Sequence, residues 1–424
     1  MNEAIQILYD SEKIQKALSF LKEDAENTVA QQIELAGIPA YSNHEEKKAA
    51  RFREIIDEMG YQTVQDEVGN TFAVLRGPEG SPVVMVTAHM DTVFPMDTDL
   101  TMHREGSRIC RPGICDDTRG CAEVLAILRA MKDAEIRPAC TLLIGGDVGE
   151  EGVGNFRGVR HIFNTKKTKV DAFLSLDGCG DNLIYGALSD VQYRVTLRGP
   201  GGHSVGAFGL VNPILCLGRA VAKIAELRVP EDPFTIFNVS TVHGGTGVTS
   251  IASECSFTMD VRSKDAAVME DFKNKCLAIV KECADEEYAR WEAERKLAAK
   301  DGRIARFDPE ARIQIEVEEL VGSYGGSQSP DCEIVTLLKD AFETCDMQPK
   351  LQDLSSTDAN IPLYLGIPAA TIGCGGKSGG THDISEWFDP TDAYLGTQKN
   401  MLCILSLTGV EGVIPPQISK TQTV

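Results

Sequence analysis

Residues 83–91 read Val-Val-Met-Val-Thr-Ala-His-Met-Asp: five apolar or β-branched residues, then an imidazole and a carboxylate within the next four positions. A short apolar run of this kind, too brief for a helix, reads as a strand buried on both faces. Two further runs repeat it, Thr-Leu-Leu-Ile at 141–144 and Ala-Phe-Leu-Ser-Leu at 172–176. Between the first two, Cys121, Val124, Leu125, Leu128 and Met131 recur at helical spacing and share one face. Buried strands alternating with helices predict an α/β domain, a largely parallel sheet covered by helices in a three-layer α/β/α arrangement.

Upstream, the first 60 residues read as two helices, the second opened by a capping box of Ser42 with Glu45 and closed by Gly60. Downstream, the pattern changes near residue 188. Runs at 191–197 and 234–242 read as strands flanking a helix at 211–227, and Cys255, Phe257, Met259 and Val261 then alternate strictly with Ser256, Thr258 and Asp260. A long helix over 266–297 and a strand with Ile313, Ile315 and Val317 on one face complete the order βαββαβ, a ferredoxin-like unit. The Gly/Ser-rich stretch 322–329 reads as a return linker, after which βα patterning resumes. The expected organisation is a discontinuous domain, 1–187 with 321–424, carrying an inserted domain at 188–320. The tail after Pro416 is expected to fray.

At 424 residues the chain has room for two or three domains of about 100–200 residues each. Hydrophobic residues at 42%, with 39 glycines besides, allow a full core and exclude global disorder. A net charge of −21 repels phosphate backbones and anionic lipid, so neither nucleic acid nor a membrane is an expected partner. The acidic opening Met-Asn-Glu-Ala-Ile-Gln lacks the pattern of a secretory signal, and a cytoplasmic location is expected. Thirteen scattered cysteines without a Cys-x-x-Cys pair fit reduced, buried thiols better than a disulfide framework or a zinc-thiolate site.

Polar residues gather where the first-domain strands should end: His89 and Asp91, Glu150 and Glu151 in Asp-Val-Gly-Glu-Glu-Gly, and Asp177 in Ser-Leu-Asp-Gly. Ligands of open α/β sheets bind outside the carboxyl ends of the strands, so these groups should converge. Asp116-Asp117, at the turn into the Cys121 helix, can join them, as can His382 in Gly-Gly-Thr-His-Asp. Each fragment alone is common in proteins at large. Together, two imidazoles and several carboxylates suit Zn²⁺, Co²⁺ or Mn²⁺.

In these motifs and their order, the sequence resembles the dinuclear zinc hydrolases that include peptidase T, carboxypeptidase G, aminoacylase and the acetylornithine and succinyl-diaminopimelate deacylases. The resemblance runs over nearly the whole chain after residue 35. Gly-Glu-Glu-Gly and the stretch Ser-Ser-Thr-Asp-Ala-Asn, then His382 and Glu386-Trp387, look most like the peptidase T side. It implies two divalent ions per chain, zinc with cobalt or manganese as alternatives. His89 and Asp177 would hold one ion, Glu151 and His382 the other, and Asp116 would bridge them. Asp91 would orient His89, and Glu150 would be the general base. The inserted domain would be a lid and dimerisation domain whose His203, in Arg-Gly-Pro-Gly-Gly-His-Ser, stabilises the oxyanion, often across a homodimer. Arg262 and Asn238 would bind a substrate carboxylate. The implied reaction is hydrolysis of an amide bond in a small peptide, with an N-acyl amino acid as the alternative substrate and a non-catalytic binding protein as the rival of another class. The sequence departs from the pattern after the bridging aspartate: many relatives have Asp-Asp-Lys-Gly-Gly, and here Thr118-Arg119-Gly120 follow Asp116-Asp117. His44, His103, His161 and His243 fall in no ligand motif and are expected to be structural or surface residues.

Overall fold

In the computed structural model, which describes residues 2–165, 169–301 and 311–420, the strand Val83–His89 lies inside an eight-stranded sheet. Thr141–Asp147 pairs with it on one side and Ala172–Cys179 on the other, both parallel, and Ala369–Cys374 continues the parallel set. Outside this centre the pairing is mixed. Thr71–Leu75 and Thr63–Gln65 extend one edge in antiparallel pairing; on the other side Asn182–Ile184 runs antiparallel to Ala369–Cys374, and Lys350–Gln352 pairs parallel with Asn182–Ile184 at the edge. Successive residues of the central strands serve opposite faces. Val84, Val86 and Ala88 pack with Val124, Leu125 and Leu128 of the helix Thr118–Asp133 and with Leu402 and Leu405 of Ala393–Thr408. Met85 packs on the other face with Phe72, Leu143, Phe173 and Phe163, the last from the helix Arg157–Thr165. Fully burying each of these larger side chains contributes about 1.5–3 kcal/mol. The result is the three-layer α/β/α arrangement.

The order of the strands creates the crevice. From Val83–His89 the chain moves to Thr141–Asp147 on one side, then passes to Ala172–Cys179 on the other. The two connections diverge at the carboxyl end of Val83–His89, where an open α/β sheet leaves room for a ligand.

Four helices, not two, precede the sheet: Glu3–Asp10, Glu12–Glu23, Ala25–Ala36 and Glu46–Glu58. The chain turns extended at Ser11 and leaves helical geometry at Asp24, which splits an otherwise continuous apolar pattern. The expected capping box does not form. The fourth helix starts only at Glu46, and Ser42 instead donates to Asp91 Oδ2 (2.7 Å) and to the Glu151 carbonyl (3.1 Å). Glu45 accepts from Asn43 N and pairs with Arg157. Gly60, at φ 82°, follows the helix end as expected. The tail is tied down past Pro416: Ile418 is buried and Ser419 donates twice to Glu333. Residues 421–424 lie outside the described residues.

The chain divides into two compact units, Met1–Ala187 with Gly325–Val424 and Leu188–Tyr324. The second holds a four-stranded antiparallel sheet in the order Thr235–Gly244, Glu254–Ser263, Ser189–Arg198, Gln314–Ser323. Helices Pro213–Ala225 and Ala266–Lys300 cover one face, over Val191, Tyr193, Val195, Phe257, Met259 and Val261. This is the ferredoxin-like order. Gly322 and Ser323, expected in the return linker, belong to the last strand, and Ile313 precedes it. All thirteen cysteines are free and none is exposed. Among the described residues no helix is long and apolar enough to cross a membrane.

Arg119 locks the first unit together. It is fully buried, lies 2.9 Å from Glu123 Oε1 and donates to Thr397 Oγ1, while Glu123 also accepts from Gly375 N and Asn400 Nδ2. Removing one member of such a buried pair leaves the other charge uncompensated. Arg119→Met is therefore expected to cost about 3–5 kcal/mol of stability in urea denaturation. A loss below 1 kcal/mol, on the order of an exposed pair, would contradict this.

Candidate active site

Strands of the central parallel set end in polar residues along one edge of the sheet. His89 closes Val83–His89, Asp147 closes Thr141–Asp147, and Asp177 lies near the end of Ala172–Cys179. Asp116 comes from the turn feeding the helix Thr118–Asp133, and Glu150 and Glu151 follow Thr141–Asp147. His382 lies between the short strands Lys377–Gly379 and Trp387–Asp389. These side chains meet. Asp116 Oδ1 is 3.0 Å from His89 Nε2 and its Oδ2 is 3.2 Å from His382 Nε2, while Glu151 Oε1 is 2.7 Å from the same His382 nitrogen. Among the described residues, three groups of ligand atoms here lie within 4.8 Å of one another: His89, Asp116 and Asp177; Asp116, Glu151 and His382; and His89, Glu150 and Glu151. A fourth, His103, Glu105 and Cys110, lies on the strands His103–Glu105 and Arg108–Cys110. Asp116 belongs to the first two groups and Glu150 to the third. Imidazole nitrogens with carboxylate oxygens form a donor set suited to a borderline divalent cation.

Burial dominates the electrostatics. It pushes Asp177 up to about 7, with the charge of Asp116 adding to the effect. It also raises Glu150, where His89 opposes and Glu151 adds. Burial would raise Asp116 too, but hydrogen bonds from His382 and His89 hold it below the usual carboxylate range. The partners Asp116 and Glu151 in turn lift His382 to about 10. Carboxylates outnumber the imidazoles facing them, a surplus of negative charge that bound cations would relieve.

Asp91 does more than face His89. His89 Nδ1 is 3.4 Å from Asp91 Oδ1, an ion-pair separation. The hydrogen bonds of Asp91 hold the glutamate loop: Oδ1 accepts from Glu150 N and Oδ2 from Glu151 N, each at 3.0 Å, and Oδ2 also accepts from Ser42 Oγ.

Four buried residues at the site carry no role in the sequence reading. Glu386 accepts from the backbone N–H of Gly113, Cys115 and Asp116. Lys48 donates to Thr118 Oγ1 at 2.9 Å. Asp147 and Asp358 lie beyond, burial pushing Asp147 up to about 6 and raising Asp358, to which the charge of Asp147 adds. Lys48 had a signal. It shares a helical face with Phe52, Ile55 and Ile56, where the periodicity calls for an apolar residue. Glu386, four residues beyond His382, had only its place in the Glu-Trp motif. The departure at 118–119 also acquires a meaning: Lys48 brings an ammonium to Thr118 from another helix, and Arg119 points into the core.

The remaining site expectations fall in the second unit. His203 sits on the two-residue strand Gly202–His203, exposed, with Val205 N and Gly206 N donating to its Nδ1. Asn238 and Arg262 lie on adjacent strands and share the face away from the helices. Arg262 Nε is 3.1 Å from Asp260 Oδ1 and its Nη2 is 3.5 Å from Asp190 Oδ2, so two carboxylates already flank the guanidinium. Of the histidines outside the ligand motifs, His44 stacks on Tyr41, His161 pairs with Glu67, and His103 and His243 are exposed.

Imidazoles and carboxylates converging at the strand ends of this sheet form a candidate metal centre. Residues 85–405 match the family described as Peptidase family M20/M25/M40, and the chain belongs to that family. Among solved structures, aminopeptidase PepT from Bacillus cereus is 19% identical with a TM-score of 0.72, covering 90% of this chain and 98% of that one. A tripeptidase from Staphylococcus aureus is 18% identical with a TM-score of 0.72, at the same coverage of 90% and 98%. The Bacillus subtilis YXEP protein, described as a dinuclear metal binding peptidase, is 13% identical with a TM-score of 0.64, covering 91% and 99%. At these identities the likeness is one of fold.

Asp91→Ala leaves the amides of Glu150 and Glu151 without their acceptor. Because a hydrogen bond to a charged group contributes about 1.5–3 kcal/mol, exchange of these two amides should accelerate about tenfold or more in hydrogen–deuterium exchange. Unchanged protection would show that the loop is held by other contacts.

Proposed function

We propose that this protein hydrolyses an amide bond in a small peptide, in the manner of peptidase T, using two divalent ions and a glutamate base. The observation that carries the reading is the pair of ligand groups that share Asp116, one with His89 and Asp177 and the other with Glu151 and His382. In it, His89 and Asp177 would hold one ion, Glu151 and His382 the other, and Asp116 would be shared between them. Zinc is the first choice, with cobalt or manganese as alternatives. When bound, the ions polarise the scissile carbonyl and make water a stronger acid. Glu150, buried and raised, takes the proton from the attacking water and returns it to the leaving amine. Asp91 keeps Glu150 and Glu151 in place through their backbone amides.

The second unit supplies the rest of the reading. Nδ1 of His203 accepts two backbone N–H groups, which leaves the proton of a neutral ring on Nε2, available to donate to a developing oxyanion. Arg262 and Asn238 bind the carboxylate end of the substrate. A homodimer through this unit is supported by its two sheet edges. Gln314–Ser323 carries Glu316, Glu318 and Glu319, whereas Thr235–Gly244 has no Asp, Glu, Lys or Arg and exposes Ile236 and Val242. Charge protects the first edge against pairing and leaves the second open to it. Ile214 and Leu215 of the helix Pro213–Ala225 are exposed as well. A reduced, acidic chain of this kind belongs in the cytoplasm.

Elemental analysis of protein purified without chelator is expected to find about two divalent ions per chain, as a co-catalytic site requires. Glu150→Gln should keep them while turnover falls at least about 10²-fold, and Glu151→Gln should lose metal. The reverse pattern would exchange the two roles. A panel of di- and tripeptides with N-acetyl amino acids decides between peptidase and deacylase, and inactivity on all of them in metal-loaded protein would favour a binding protein.

Arg262→Ala is expected to cost roughly 2–4 kcal/mol in kcat/KM on substrates with a free carboxylate and much less on the same substrates capped as amides. An equal penalty on both would place the anchor elsewhere and make Arg262 a partner of Asp260 and Asp190 only.

A further inference from the structure

The loop that carries Asp116 runs from the strand Arg108–Cys110 to the helix Thr118–Asp133. Its backbone is held by one carboxylate. Glu386 Oε2 accepts from Gly113 N at 2.8 Å, and Oε1 accepts from Cys115 N at 2.8 Å and Asp116 N at 2.9 Å. Glu386 is 0% exposed. Three amides on one buried carboxylate fix the direction in which this turn presents its side chains.

The far end of the same loop is held by Lys48. Thr118 Oγ1 donates to the Gly113 carbonyl at 2.7 Å and accepts from Lys48 Nζ at 2.9 Å. The chain of contacts is continuous, from Lys48 to Thr118 to Gly113 to Glu386 and on to Cys115 and Asp116. Lys48 is 1% exposed, on a helix whose other inward residues are Ala49, Phe52, Ile55 and Ile56. Taking an ammonium out of water is costly unless it is hydrogen-bonded and faced by opposite charge. Burial lowers the pKa of Lys48, opposed by Cys121, Asp117, Asp91 and Glu386, and Thr118 Oγ1 accepts its hydrogen bond.

Resting on the reading of Asp116 as the shared ligand, we propose that Lys48 and Glu386 are positioning residues. Together they clamp the 113–118 loop so that one oxygen of Asp116 faces His89 and the other faces His382. Neither residue reaches the ligand groups themselves, and both act through the backbone that carries Asp116. A cation whose only effect were its charge would oppose binding of a divalent ion, so its removal would tighten binding. A positioning residue predicts the opposite sign.

The test measures Zn²⁺ affinity by competition with a chromophoric chelator and the visible spectrum of the Co²⁺-loaded protein. The variants are Lys48→Met, Thr118→Val, Glu386→Gln and Asp116→Asn, with far-ultraviolet circular dichroism of the metal-free proteins as the control for folding. Thr118→Val breaks the same chain of contacts with no change in charge, and keeps the test open if Lys48→Met fails to fold. The first three are expected to weaken binding by about 10–100-fold, the range seen for partners that orient metal ligands, and to alter the cobalt spectrum. Asp116→Asn should weaken it further. If Asp116→Asn loses metal while the other three bind as the parent does, the clamp is wrong and the shared-ligand reading stands. Tighter binding by Lys48→Met would also overturn the clamp. If Asp116→Asn keeps two ions at parental affinity, the shared-ligand reading fails and the clamp with it.

Discussion

A single half-buried carboxylate placed between two imidazoles organises this protein. Asp116 has one oxygen 3.0 Å from His89 and the other 3.2 Å from His382, and it stays ionised against burial because both rings hold it so. Around it stand Asp177, Glu150 and Glu151, whose mutual repulsion in a low-dielectric crevice is costly without cations. Such a cluster persists only where the surrounding backbone leaves its members no other place to go. The sheet, the helix turns and the buried ion pairs serve that requirement.

Three supports meet it by different means. The parallel strands fix His89 and Asp177 by register, because each strand end is determined by ladders that begin several residues upstream. The two loops between strands and helices have no such ladder and are held by buried carboxylates. Asp91 takes the amides of Glu150 and Glu151, and Glu386 takes those of Gly113, Cys115 and Asp116. In both loops a carboxylate replaces the missing sheet partner as acceptor; against burial, the hydrogen bonds of Asp91 hold it below the usual carboxylate range, whereas burial pushes Glu386 up to about 7. The second unit follows another economy, with an apolar layer under two helices and a charged face opposite.

Much of this was legible in residue order. Apolar runs at 83–87, 141–144 and 172–176 marked the central strands because burial on both faces leaves no polar position to interrupt them. The strict alternation at 255–261 marked a half-covered strand for the complementary reason. The N-terminal helices were less legible: Ser11 and Asp24 break the helix through backbone geometry, while the apolar spacing continues across both. Ser42 and Glu45 fit a capping box by spacing, yet Asp91, distant in sequence, offers the Ser42 hydroxyl an ionised acceptor at 2.7 Å. Local pattern cannot weigh such a competitor.

The sequence by itself determined which residue types are available, which segments are buried, and in what order His89, Asp116, Glu151, Asp177 and His382 follow one another. These depend on periodicity and composition, which are properties of neighbours along the chain. Only the tertiary structure decided that Asp116 lies between His89 and His382, that Asp91 grips the loop carrying the glutamates, and that Lys48 and Glu386 meet the 113–118 turn. Each of those is a contact between segments tens to hundreds of residues apart. Its strength is set by burial and by the charges of groups that come together only once the strands have paired and the helices have closed over them.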